Sequence, residues 1–536
     1  MTYEEAFLEA IREQPDDDAP RLIFADWLEE HGGRADAARA EFIRVQCERA
    51  QWPEGSPRWH ELGARARALE TEHKQAWLGP TAEVFRSSRF HRGFLDSIRL
   101  EAQQFLAHAE ALFRLGPIRE VSLGGVGDAI QALADSPQLN RVASLCLMNN
   151  DLGPEEIRVL CRSPHLTQLV GLNLSLNRLG TEGAAILRRA PFFAQLRSLQ
   201  LVRNELGATG VEYLVENPKD LHLTELNLAF NNLGAAGVQA LTSARSFYHR
   251  LTCLHLGFNG ISVAGMHALA HAPGQLVELH IEHNPVGNDG IRELALSSAF
   301  SNLSILNLSR ADLGSDSAAV LAISPHLRGL TNLNLSGNHI RASGIKELAS
   351  SPILARLSHL DLTGNEIGDV GATALAKSPH VTNLNGLALG ANGLRAWGLR
   401  ELVMSPHLGN LHKLDLHGNN LGDQGARVIA RWSRLPHLVD LCLRNNRIDD
   451  LGAEELADSP HLPYLRRLDL SGNDITDEGA AALKAGGLRD RLVCLRPNDL
   501  GTDELSRHFA FATPAARHAA VERAYVMRVI RGYSPE

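Results

Sequence analysis

A chain of 536 residues with 44% hydrophobic content can bury a sizeable core, and it would divide into several compact domains unless built from repeats. Lys plus Arg is 53 against 62 for Asp plus Glu, a formal net charge of −9, and this mildly acidic balance argues against a phosphate-backbone binder. The cysteines Cys47, Cys146, Cys161, Cys253, Cys442 and Cys494 form no C-x-x-C pair, which argues against a disulfide framework or zinc knuckle and for free thiols in a reducing compartment.

The first residues, MTYEEAFLEAIREQPDDD, are acidic and lack the basic start and apolar run of a secretion signal. No stretch approaches the ~18 consecutive apolar residues of a membrane span. The expectation is a cytoplasmic protein with no membrane and no nucleic acid among its partners. Thr2 with Glu5 makes a capping-box pattern ahead of a helix carrying Phe7, Leu8 and Ile11. Asp18 and Pro20 open a second helix, RLIFADWLEEHG, which Gly32 and Gly33 close, and a third follows as ADAARAEFIRVQCERAQW. The pair RLIFADWLEEHG and AEFIRVQCE resembles the short bacterial repeat-companion domain found ahead of leucine-rich or other repeats. That resemblance implies a small all-α domain over residues 1–52 and carries no activity with it. Beyond WPEGSP, residues 53–92 read as a helical connector holding Trp59, Leu62, Leu69 and Trp77, which covers the first repeat.

From there the chain repeats. Segments of the form L-x-L-x-x-N-x-L recur as LCLMNNDL, LNLSLNRL, LQLVRNEL, LNLAFNNL, LHLGFNGI and LHIEHNPV, and continue to VCLRPNDL. The Asn column holds Asn338, Asn365, Asn392, Asn419, Asn446 and Asn473, 27 residues apart, and is interrupted at Ala311. About 14 clear units and two degenerate ones, SIRL and EVSL, place the array over residues 93–500. Each L-x-L has the two-residue period of a short strand, with its leucines on one side. A glycine six residues past the Asn and an apolar residue ten past it place a helix behind the strand, and a Ser-Pro pair such as Ser324-Pro325 or Ser378-Pro379 stops that helix. No unit buries its apolar face alone, but stacked units share one leucine core.

The array resembles leucine-rich repeats of the ribonuclease-inhibitor type. This implies an α/β solenoid, a horseshoe with parallel strands on the concave face and helices on the convex face. In that family the Asn side chain bonds backbone groups of its turn and forms a ladder, so Ala311 predicts a looser turn, rescued by Asp312 or water. The segment TPAARHAAVERAYVMRVI, within residues 501–536, reads as an amphipathic helix capping the last unit.

The concave face is where such a horseshoe takes its ligand. Glu278, His280 and Glu282 of ELHIEHN alternate with Leu279 and Ile281 and face that side, with His283 beside them. His255 holds the column of His280 one unit earlier, flanked by Glu225, Asn227 and Asn307, and Phe230 and Phe258 add an aromatic pair. We read this patch as solvated, partner-facing side chains rather than a metal or acid/base site, because nothing in the sequence encloses it. A second, charged cluster comprises Asp361, Lys413, Asp415, Asp440, Arg444, Arg467 and Asp469, with Arg496 and the accessible thiols Cys146, Cys442 and Cys494 nearby. His165, His326, His380, His407 and His461 follow Ser-Pro and belong to the repeat itself.

No phosphate loop, H-E-x-x-H, G-x-S-x-G or dinucleotide fingerprint occurs. The function expected is that of a monomeric, non-enzymatic scaffold that binds a protein partner through its concave face and needs neither cofactor nor metal. The array also looks like the repeats of Ran GTPase activators. That likeness implies the alternative of a GTPase regulator, in which Arg203 and Arg310 act on a phosphate.

Overall fold

Four helices open the chain, Tyr3–Glu13, Ala19–His31, Arg34–Ala50 and Pro57–Leu78. The computed structural model describes residues 3–14, 17–53, 57–216, 221–432, 434–487 and the strand Cys494–Arg496. Thr2, Asn498 and the C-terminal helix expected over residues 501–536 lie outside them. Two units are described in turn, Met1–Glu205 with Asp220–Leu223, and Leu206–Lys219 with Thr224–Glu536.

In the first unit the second helix begins and ends where expected, although the Asp18 side chain makes no cap bond. Asp18 is the N-cap of the second helix, Pro20 lies in its first turn, and the Gly32 amide closes it on the Leu28 carbonyl. Leu8, Ile11, Phe24, Leu28, Ile43 and Cys47 form one core with Phe94. The helical reading of residues 53–92 fails past the short 3-10 turn Gly79–Val84, because Ser87–His91 is a strand paired antiparallel with Phe94–Glu101. The reason is a hairpin turn: Arg92 and Gly93 take φ of 48° and 85°, which no helix allows. The third helix rests directly on this turn. A Cβ at Gly93 would lie 2.5 Å from the Ile43 Cα, the Gly93 amide donates to Gln46 Oε1 at 2.6 Å, and Arg92 pairs with Asp18 at 3.1 Å. Both degenerate units are real strands: Phe94–Glu101 pairs parallel with Glu120–Gly124, and Ser144–Cys146, Gly171–Asn173 and Ser198–Gln200 follow in parallel.

The second unit repeats strand and helix without change of plan. Eleven three-residue strands are present among the described residues, from Glu225–Asn227 to Cys494–Arg496, each followed by a helix except the last. All successive pairs are parallel and in register, leucine against leucine: Leu254 with Leu279, Leu279 with Leu306, Leu306 with Leu333. These leucines are at most 2% exposed, and each contributes roughly 1.5–3 kcal/mol by burial. The residues flanking them point to the opposite, open face of the sheet.

Asn side chains hold the turns. Asn338, 1% exposed, accepts from the Ala311 and Leu313 amides of the preceding unit at 2.9 and 3.1 Å and donates to the Leu308 and Leu335 carbonyls at 2.9 and 2.8 Å. Asn284 and Asn473 bond in the same way. At Ala311 the ladder loses its two side-chain bonds to the preceding unit, and the loosening is confined to them. The His283 and Gly287 amides still reach the Ser309 and Ala311 carbonyls at 2.8 and 3.0 Å, and the Val286 amide turns back to the Asn284 carbonyl at 2.7 Å. The Ser-Pro pairs do more than end helices. The hydroxyls of Ser163, Ser324, Ser378, Ser405 and Ser459 each donate to a helix-end carbonyl one unit earlier, and accept from the amides of His165, His326, His380, His407 and His461.

Two outcomes follow. Gly93→Ala combines a left-handed backbone with a clash against Ile43 and lowers the stability of the N-terminal helices by about 2 kcal/mol or more; limited proteolysis will cut them faster than in wild type. Asn338→Ala leaves buried backbone groups without partners and costs roughly 2–5 kcal/mol. Hydrogen exchange at the Ala311 and Leu313 amides accelerates, and unchanged protection there would refute the ladder's role.

Candidate functional site

The open face of the second unit carries a cluster of thiol, imidazole and carboxylate groups on two adjacent strands, Cys253–His255 and Glu278–His280. Register sets Cys253 beside Glu278 and His255 beside His280, with Leu254 and Leu279 directed into the core between them. At strand spacing of ~4.8 Å neighbouring rings meet face to face. The two imidazoles stack with centroids 4.1 Å apart and planes 14° apart. Cys253 Sγ lies 3.3 Å from His255 Nε2 and 3.5 Å from Glu278 Oε2, and His280 Nε2 lies 3.7 Å from the same carboxylate oxygen.

This patch is not the solvated one the sequence predicts. His280 is 7% and Glu282 1% exposed, while His255, Glu278 and Cys253 are half-buried. Packing supplies the reason: adjacent rungs cover each other, and Glu282 folds over Gly257, where a Cβ would lie 2.5 Å from its Oε1. The electrostatics follow. Burial, with a smaller effect from His280, pushes His255 down to about 3 against the pull of Glu278. Burial first, and then Glu278 and Glu225, push the Cys253 thiol up. The imidazole of His280, 3.7 Å away, holds Glu278 below its ordinary value, burial opposing. At neutral pH the cluster thus holds a neutral imidazole, a protonated thiol and an ionised carboxylate. Cys253 is the member that sequence reading missed. Its signal is the facing pair C-x-H and E-x-H in consecutive units.

Beside the cluster runs a three-ring stack. Phe230 and Phe258 have centroids 3.9 Å apart, and Phe258 and His283 3.7 Å apart. All three rings are half-buried; Glu225 is exposed in register beside Cys253, whereas Asn227 and Asn307 are buried and their side chains bond the Ala229 and Ser309 amides.

In the charged cluster the aspartates have structural work. Asp361, Asp415 and Asp469 accept from the Thr363, His417 and Ser471 amides at 2.9, 3.0 and 3.0 Å, tying each strand to its own turn as Asn227 and Asn307 do. Asp415 also bonds His417 Nδ1 at 2.8 Å, which raises the imidazole's affinity for its proton against the effect of burial. Arg467 pairs with Asp440 at 3.0 Å across adjacent strands, and Lys413 and Arg444 are exposed. Cys442 is not the accessible thiolate expected, since burial and then Asp415 push it up to about 12. The side chains of Cys494 and Arg496 lie outside the described residues.

His255 sets a pH dependence. Its folded value is far below the ordinary 6.5, so its contribution to stability is complete above about pH 6.5 and falls as acid protonates the unfolded chain first. The loss approaches ~1.4 kcal/mol per pH unit between there and about 3. Urea unfolding at pH 5 and pH 7 will therefore show a steeper loss for wild type than for His255→Gln. Parallel losses would contradict the buried neutral imidazole.

Comparisons with known proteins agree with the repeat. A family model described as Leucine Rich repeat matches residues 195–215, 219–241, 249–270, 276–295, 326–349, 357–376, 407–430, 434–457 and 461–484. No match was found among curated proteins. Among solved structures, an internalin (inlF) from Listeria monocytogenes is similar at 19% identity and TM-score 0.40, over 71% of this chain and 95% of that one. The Rad7 and Elc1 complex of yeast is similar at 15% identity and TM-score 0.44, over 92% and 98%. The ectodomain of the Arabidopsis receptor kinase HAESA, solved with an IDA peptide hormone, matches at 19% identity and TM-score 0.37 over 65% of this chain and 57% of its own. At these scores the likenesses carry no argument about function. Among the described residues no helix is long and apolar enough to cross a membrane. Repeating strand, helix and Asn-bonded turn, together with the nine matched segments, make residues 195–484 an array of leucine-rich repeats.

Proposed function

We propose that this chain is a cytoplasmic, non-enzymatic recognition scaffold, of the ribonuclease-inhibitor repeat type, whose open strand face binds a protein partner. The observation that carries the reading is the half-buried stack of Phe230, Phe258 and His283. Rigid aromatic surface accompanied by polar groups is the usual make-up of a binding hot spot, and Glu225 and Glu278 flank Cys253 from the two adjacent strands. Exposed Lys413, Arg444 and the Asp440–Arg467 pair supply mixed charge that orients an approaching partner. Residues 1–52 act as the companion module, and the chain works as a monomer.

The test compares wild type with a Phe230→Asp, Phe258→Asp, His280→Ala variant in affinity capture from native lysate, with partners identified by mass spectrometry and rebound as purified proteins. A partner that binds wild type and is lost, by about 2 kcal/mol or more, from a variant with unchanged circular dichroism supports the reading. Equal binding by both removes the aromatic stack from the interface.

A further inference from the structure

We propose that Cys253, His255 and Glu278 form a binding site for a divalent zinc-class metal ion on the open face of the sheet. The donor set is one sulfur, one imidazole nitrogen and one carboxylate oxygen, the mixture that a borderline-soft ion such as Zn²⁺ selects over Mg²⁺ or Ca²⁺. The donor atoms all lie within 4.8 Å of one another. Bond lengths of about 2.0–2.3 Å at tetrahedral angles require ligand-to-ligand edges of roughly 3.3–3.7 Å. Cys253 Sγ lies 3.3 Å from His255 Nε2 and 3.5 Å from Glu278 Oε2, so two of the three edges already have that length. The third closes by a turn of the Glu278 side chain, which is 36% exposed and leaves a way in from solvent.

The backbone holds these donors on rigid elements. Cys253 and His255 share one face of a strand, and Glu278 faces Cys253 in register on the next. His280 Nε2, 3.7 Å from the Glu278 carboxylate, orients it as the outer partner of a metal ligand does. The fourth coordination position faces the open side. Binding replaces the proton of the Cys253 thiol, now directed at Glu278, with a metal–sulfur bond, and that proton passes to the buffer. A second group, His267, His271 and Glu293, lies on helices with both imidazoles exposed and offers no sulfur. It serves as the control.

The full chain, freed of metal by chelation under reducing conditions, is titrated with Co²⁺ and then with Zn²⁺ against a chromophoric chelator. The expected result is one ion per chain, a thiolate-to-cobalt charge-transfer band that Zn²⁺ abolishes, and about one proton released per ion. Cys253→Ser removes the band, and both Cys253→Ser and Glu278→Gln weaken Zn²⁺ binding by about tenfold or more, while His267→Gln with His271→Gln leaves it unchanged. Circular dichroism matching wild type shows that each variant is folded. Absence of the band, Zn²⁺ affinity unaltered by Cys253→Ser, or binding lost only in the helix double variant overturns the proposal.

Discussion

Everything on the open face depends on the buried Asn at each turn. Its carboxamide takes two amides of the preceding unit and gives its own hydrogens to two carbonyls, so each unit is pinned to the last at the same height. Buried backbone groups that lose such a partner cost more than the bond itself contributes, which makes the arrangement nearly obligatory. Ala311 shows what the fold does without it. The strand-to-strand bonds around the turn persist, and one amide finds a carbonyl of its own unit. The ladder is therefore distributed, and a single missing rung is absorbed by its neighbours because leucine burial on both sides fixes the register independently.

Fixed register turns sequence columns into contacts. Residues 25 or 27 positions apart in the chain stand side by side, as His255 stands beside His280 and Asp440 beside Arg467. That proximity inverts the usual expectation for an exposed sheet face. Side chains that would be hydrated singly cover each other, and a ring sandwiched between rings loses water on both faces. The depressed proton affinity of His255 and the raised one of Cys253 both follow from burial first and neighbours second. His417 goes the other way because an ionised carboxylate meets its ring nitrogen directly at 2.8 Å. One unit thus holds a neutral imidazole in one place and a proton-retaining one in another, the first set by burial and the second by a carboxylate two residues away.

The architecture was legible because it is written many times over: Leu-x-Leu, the Asn column and the Ser-Pro stop each recur at near-constant spacing, and no single exception disturbs the average. The hairpin at Arg92-Gly93 was not, because it occurs once and its helix-rich context outweighed the short alternation around Phe90. The site was legible in part. Alternation placed Glu278, His280 and His255 on the open face correctly, and Phe230 beside Phe258. It could not report burial, since a one-dimensional pattern distinguishes faces but not how tightly neighbouring units close over them. Cys253 was passed over for a related reason: its partners are 25 residues away in the chain and adjacent only in the sheet. The aspartates read as partner-facing charge are engaged at their own turns, a two-residue contact that asparagine in the same column makes equally well.

The aromatic stack stands where the backbone is least comfortable. Among the described residues the one before each ladder Asn lies in the left-handed region, at φ 59° in Phe230, 57° in Phe258 and 55° in His283. Glycine fills this position at Gly337, Gly364, Gly418 and Gly472, where the conformation is free of a Cβ penalty. A bulky residue there costs roughly 1–2 kcal/mol. Three consecutive units nevertheless carry rings, and their centroid separations of 3.9 and 3.7 Å mean that each ring is supported by the next. Stacking of this kind contributes about 0.5–1.5 kcal/mol per pair, which offsets much of the strain without exceeding it. Stability alone would favour glycine in all three units. Yet the same left-handed conformation is taken by Leu176, Arg203, Arg310, Ala391 and Asn445, so a non-glycine residue at this turn is a feature of the repeat, and the three rings lower its cost by supporting one another.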